Sequence, residues 1–161
     1  MRSLSRLVPV LLLAGLFLAP AAHAFTITGV GAKLGYTRPE GVDGGMIYGA
    51  HVEAGTPGAR WHLMPGFLYE SRGADANALH ANLDLYYHFL GNGRSSPYLG
   101  AGVAALRASE GDDSSSDVGA NLFGGIRIPG PGAHYFLEGR YTMADVNQVS
   151  ILGGATFGFS H

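Results

Sequence analysis

From residue 27 onward the chain alternates between two chemistries. Leu79, Ala81, Leu83, Leu85, Tyr87 and Phe89 share one parity, and His80, Asn82, Asp84, Tyr86 and His88 share the other. Trp61, Leu63, Phe67 and Tyr69 are set in the same way against His62, Gly66 and Glu70, and Thr28, Val30, Ala32, Leu34 and Tyr36 against Gly29, Gly31, Lys33 and Gly35. A period of two means a strand whose faces meet different surroundings. The pattern predicts strands over 27–37, 45–54, 60–71, 77–90, 97–108, 117–128, 134–143 and 148–160, and no segment past the leader has the roughly 20 uninterrupted apolar residues of a spanning helix.

The connections fall into two alternating sets. After the second, fourth and sixth strands come Gly/Pro turns: Gly55-Thr56-Pro57-Gly58, Gly91-Asn92-Gly93 and Pro129-Gly130-Pro131-Gly132. The other connections hold most of the acid: Glu40, Asp43, Asp75, Glu110, Asp112, Asp113, Asp117 and Asp145, with Ser114-Ser115-Ser116 as a loop tract. Tight turns on one rim and polar loops on the other organise an up-and-down membrane barrel. The outward parity sends Tyr36, Tyr48, Tyr69 and Tyr141 to the loop rim. It sends Trp61, Tyr87, Phe89, Tyr135, Phe157 and Phe159 to the turn rim, giving two aromatic girdles. The expected fold is all-β, an eight-stranded up-and-down antiparallel transmembrane β-barrel, apolar outside and polar inside. Pro65, inside the third strand, predicts a bulge or break because it has no N–H to donate.

Residues 1–24 read as a cleaved signal peptide, with Arg2 and Arg6, an apolar run from Leu7 to Leu18, and Ala22-His23-Ala24 before the cut. The barrel is expected over 25–161, beginning at Phe25 and exported through the Sec route to a Gram-negative outer membrane. Removing the leader takes away two arginines and makes a chain of net charge -2 more acidic. With 14% charged residues, 47% apolar residues and 26 glycines, the chain fits neither a disordered segment nor a nucleic-acid binder. The absence of cysteine removes disulfides, thiolate metal sites and thiol nucleophiles.

The inward charges on this parity are Lys33, Arg60, Arg127 and Arg140 against Glu53, Glu70, Asp84 and Glu138. A balanced set points to ion pairs in a narrow lumen, since a selective pore wall carries an excess of one sign. Glu138 and Arg140 are neighbours on one face, Glu53 is expected opposite Arg60, and Glu70 beside His80. Hairpin register read from the turns sets His51 opposite His62 and His62 opposite His88, a row near the turn rim about 5 Å apart at Cβ, within reach of a shared divalent metal. Polar filling of the lumen is the alternative for the same three residues. Glu110, Asp112 and Asp113 form the densest loop cluster, read either as a solvated loop or as a place for weak divalent bridging to anionic lipopolysaccharide.

Three later segments carry a resemblance: Pro97-Tyr98-Leu99-Gly100-Ala101-Gly102-Val103, Phe136-Leu137-Glu138-Gly139-Arg140-Tyr141 and Gly153-Gly154-Ala155-Thr156-Phe157-Gly158-Phe159. They look like the later strands of the small eight-stranded outer-membrane barrels of the OmpA/OmpX/OmpW/opacity-like superfamily. The resemblance implies partners in membrane lipid, lipopolysaccharide and the barrel-assembly machinery, which in that family reads an outward aromatic on the last strand; here Phe157, Phe159 and His161 share that face. A lipid A deacylase on this fold would resemble its family through a His-x-Ser pair, and His51, His62, His80, His88 and His134 are followed at that spacing by Glu, Met, Asn, Leu and Phe. The expectation is a monomer without cofactor or catalysis, with a structural or surface-interaction role and a mostly plugged polar lumen. A narrow porin-like channel for small or apolar solutes is the alternative, ahead of a lipid-modifying enzyme.

Overall fold

Strands with one apolar and one polar face cannot remain an open sheet in lipid, because every unpaired backbone group there costs several kcal/mol. The computed structural model resolves this by closure: eight antiparallel strands, each paired with its sequence neighbours, and the last paired with the first. It describes residues 26–56, 58–73, 76–90, 94–111 and 113–159. The expected signal peptide 1–24, Phe25, Pro57, Asp75, Asn92, Asp112 and His161 lie outside the described residues. The strands are β1 (Thr26–Pro39), β2 (Gly45–Gly55), β3 (Trp61–Ser71), β4 (Ala76–His88), β5 (Ser96–Glu110), β6 (Asp113–Gly130), β7 (Ala133–Met143) and β8 (Gln148–Gly158).

The expected parity holds around the barrel. Val30, Leu34, Phe67, Leu83, Leu99, Val103, Leu122, Leu137 and Ile151 are exposed on the outside, whereas Lys33, Glu53, Glu70, Asp84, Asn121, Glu138 and Arg140 are buried inside. A soluble protein rarely leaves so much contiguous apolar surface uncovered. Both girdles are present: Tyr48 and Tyr69 meet at the loop rim with ring centroids 5.5 Å apart, and Trp61 and Tyr87 meet at the turn rim at 4.9 Å.

Three features depart from the pattern. First, β5 and β6 run further than the alternation indicates. They pair as far as Glu110 opposite Asp113, so Ser114-Ser115-Ser116 is strand and not loop. Strand β7 joins β6 only from Met143 opposite Ala120, leaving 113–119 paired on one side. Second, the β2–β3 ladder lapses at Val52 and Glu53 across from Met64 and Pro65, with the same register on either side. The missing proline donor thus breaks the ladder without the extra residue of a bulge. Third, β1 and β2 shift register between Ile27 and Gly29.

Glycine makes the inside fit. A Cβ on Gly100 would run into the Phe123 ring, and one on Gly154 into the Phe136 ring. Bulky side chains therefore lie flat across bare backbone from the neighbouring strand, which accounts for part of the glycine excess in the composition.

Candidate functional site

The lumen is the place where polar chemistry concentrates, and it is layered along the barrel axis. Nearest the turn rim, Glu53 on β2 faces two imidazoles. His134 Nε2 lies 3.2 Å from Glu53 Oε2, and His62 Nδ1 lies 3.1 Å from Oε1 in ion-pair contact without hydrogen-bond alignment. Arg127 reaches two more ring nitrogens, His134 Nδ1 at 2.8 Å and His88 Nε2 at 3.2 Å. A guanidinium only donates, so both of those nitrogens accept. His134 then carries its proton on Nε2, aimed at Glu53, and His88 carries its proton on Nδ1, which has no partner among the described residues.

Above this layer lie Met64, Tyr86, Tyr98 and Phe123, with Phe136 packed against them. His62 stacks on Tyr86 at 5.3 Å, and His88 meets Tyr98 edge-on at 5.6 Å, so the two layers interlock. The internal cavity between them, lined by Glu53, His88, Arg127, His134 and Glu138 among others, is about 20 Å³, roughly the space of one water.

The centre of the lumen is an ionic network. Arg140 donates through Nη2 to Asp84 Oδ2 at 2.7 Å and through Nε to Glu138 Oε1 at 3.0 Å, while Lys33 Nζ lies 3.8 Å from Glu138 Oε1. Asn121 donates to Asn82 at 2.9 Å and to Asp84 at 3.1 Å, and accepts from Thr142 at 2.8 Å. The Arg140 guanidinium covers the Phe123 ring at 4.5 Å. Nearer the loop rim Ile47, Leu68 and Leu152 form a small apolar layer. Glu70, fully buried, takes His80 Nε2 at 3.1 Å and the Arg72 fork, whose Nη2 lies 3.0 Å from Oε2.

The residues singled out from sequence distribute unevenly. Lys33, Glu138, Arg140 and Asp84 come together, as do Glu70 and His80; Glu53 and Arg127 meet through His134. Arg60 does not belong to the lumen: it is exposed, and its Nη1 donates to the Tyr87 hydroxyl at 3.1 Å on the outer wall. The row of three imidazoles does not form either. His51 pairs with Gly66 and His62 with Gly55, while Tyr86, not His88, lies opposite His62. His62 and His88 do meet, ring centroids 5.3 Å apart, but His51 is drawn to Thr156 Oγ1 at 2.8 Å and to the Phe136 ring. Among the described residues no group of three or more His, Asp or Glu side chains is arranged to hold a metal ion. Glu110 and Asp113 sit opposite each other at the hairpin tip, and Asp112 between them lies outside the described residues. Arg72, His134, Tyr98 and Asn121 are central here although the expected charge set omits them. His134 could have been found from its parity with Phe136 and Glu138, and Arg72 from its place two residues past Glu70.

The class defined by these observations is a closed eight-stranded antiparallel barrel with an apolar exterior and a polar interior. Solved structures share it. Neisserial surface protein A matches with a TM-score of 0.68 at 16% identity, over 84% of this chain and 99% of that one. The N-terminal barrel domain of Pseudomonas aeruginosa OprF matches at 0.66 and 16%, over 83% and 98%. Ail, the attachment invasion locus protein of Yersinia pestis, matches at 0.52 and 18%, over 84% and 99%. At these identities the likeness is one of fold: that of small eight-stranded outer-membrane barrels. No protein-family model matches the sequence, and no curated protein does.

Proposed function

We propose that this is a Gram-negative outer-membrane barrel with a structural or surface-interaction role and a plugged, non-conducting, non-catalytic lumen. The observation that carries the reading is the continuity of side chains along the axis. The Glu53 layer, the Tyr86/Tyr98/Phe123 layer, the Arg140 network and the Ile47/Leu68/Leu152 layer follow one another, and the internal cavity between the first two is about 20 Å³. Eight strands enclose room for little beyond side chains. The ionised groups of the network are mutually paired, which suits a filled interior better than a pore wall selecting one sign of ion. The layers also brace the wall from within, the property a barrel needs to hold loops in place at a surface.

The test is planar-bilayer recording on the purified, refolded chain, beside fractionation of cells expressing it. The expected result is outer-membrane recovery with no unitary conductance steps. Reproducible single-channel steps would replace this reading with a narrow channel, and recovery in the soluble periplasmic fraction would end it.

A further inference from the structure

The cations of the described residues fall into two sets. Lys33, Arg60, Arg72, Arg127 and Arg140 each have a hydrogen-bond or ion-pair partner. Arg38, Arg94 and Arg107 have none among the described residues, and all three are exposed. Arg38 differs from the other two in what surrounds it. It lies on the outward parity of β1, two residues beyond the girdle residue Tyr36 toward the loop rim. Across the seams it is level with Val149 on β8, which is level with Tyr141 on β7. Tyr36 and Ile151 form the next row toward the midplane. A guanidinium without a partner among the described residues therefore stands directly above a tyrosine-edged apolar wall.

The place is also shaped. Arg38, Pro39, Glu40, Tyr141, Asn147 and Val149 line most of a groove of about 460 Å³ on the rim. Its upper edge is tied: Glu40 N donates to Asn147 O at 2.8 Å, and Asn147 Nδ2 donates to Glu40 Oε2 at 3.2 Å. That bond occupies one oxygen of the acid in the groove, and the Arg38 guanidinium has no partner among the described residues. An unpaired guanidinium at the membrane-water boundary is matched by phosphate oxygens, which its planar fork can engage in pairs. A chain attached to such a phosphate would run down over Ile151 and the apolar wall.

We propose that the Arg38 groove seats the phosphate-bearing head group of an anionic lipid of the surrounding leaflet. This rests on the membrane-barrel reading and adds to it a defined lipid contact on one side of the wall. Strand β5, which carries Arg107, lies half a circumference from β1 in the strand order, so one lipid cannot engage both arginines.

The experiment refolds the full chain into phosphatidylcholine vesicles doped with bisphosphorylated lipid A, with its dephosphorylated form, or with neither. Insertion is first verified by β-type circular dichroism and heat-modifiable mobility, so that a failed barrel reading shows before any lipid is counted. Lipid retained through detergent extraction is then counted by native mass spectrometry. The phosphorylated form is expected to be retained over the dephosphorylated one. Arg38→Gln should lower its retention about fivefold, the effect of one interfacial cation, Arg38→Lys should restore most of it, and Arg107→Gln should leave it near the parent level. Equal retention by Arg38→Gln and the parent, or an equal fall with Arg107→Gln, overturns the site. Displacement of the lipid by millimolar inorganic phosphate would assign the groove to free phosphate and overturn the lipid assignment.

Discussion

The hydroxyl of Tyr98 donates to Glu138 Oε2 at 3.0 Å across an intervening strand. Tyr98 is on β5 and Glu138 on β7, and the residue level with both on β6 is Gly125. The bond exists because Gly125 has no side chain: a Cβ there would lie 2.7 Å from the Tyr98 oxygen. Tyr98→Phe should therefore cost about 1.5–3 kcal/mol, the worth of a hydrogen bond to a charged group. Gly125→Ala should cost at least as much, because its Cβ would press on the Leu137 carbonyl oxygen of the neighbouring strand as well as displace the ring. Because both remove one contact, the double variant should cost less than the two singles together. Urea unfolding in micelles, followed by circular dichroism, measures all three, and strict additivity would mean that Gly125 matters for another reason.

Arg140 holds two acids at once, Asp84 and Glu138, in the middle of the lumen. Arg140→Met leaves both partly uncompensated in a poorly hydrated interior, for an expected loss of about 3–5 kcal/mol. Adding Asp84→Asn to that variant should recover part of the loss. The same unfolding measurement decides, and no recovery would show that Asp84 draws its stabilisation from Asn121 alone.

Depth in the bilayer gives a third expectation. Leu83 faces outward midway along β4, whereas Val118 faces outward on the part of β6 that rises past the end of β7. Leu83→Arg should destabilise by about 2–4 kcal/mol and Val118→Arg by about 0–1 kcal/mol. Folding titrations in lipid vesicles give both numbers, and equal penalties would misplace the membrane along the barrel.

The single tryptophan supplies a test without substitution. Trp61 is outward at the turn rim, in contact with the Tyr87 ring. Its emission should be quenched more by lipids brominated or spin-labelled near the head group than by those labelled at the chain end. The reverse order would move Trp61 from the interface to the bilayer core.

The face a residue takes within a strand was legible in the sequence, and so were the Glu138–Arg140 and Glu70–His80 contacts, but the cross-strand partners in the β2–β3 and β3–β4 pairs were not. The Thr56-Pro57 turn suggests Glu53 opposite Arg60 and His51 opposite His62, but β2 and β3 pair with Gly55 opposite His62, four residues removed. The β3–β4 register differs from the expected one by two. Slips by an even number preserve the face, so Lys33, Glu53, Glu70 and Arg140 remain inward while their neighbours change. Arg60 falls outside because it precedes β3, in the longer turn. Contacts across the lumen, such as His51 with Thr156, join strands far apart in the chain and leave no local pattern. The Ser114-Ser115-Ser116 stretch does not read as strand in the sequence for a different reason. Above the bilayer a hairpin has no lipid face, so nothing selects alternation.

Every seam of the barrel but one joins strands that follow each other in the chain, so each can form as a local hairpin. The remaining seam brings β1 to β8, and Thr37 meets Gln148 across 111 residues of separation. In kinetic terms the hairpins can form early, and closure waits on the encounter of the two ends, where loop entropy is lost before any bond repays it. A defect confined to this seam, such as a side chain at Gly35 pressing on the Ile151 backbone, would leave the hairpins intact and slow the last step. The species that accumulates would be a nearly complete curved sheet with two bare edges, the form most exposed to pairing with the wrong chain.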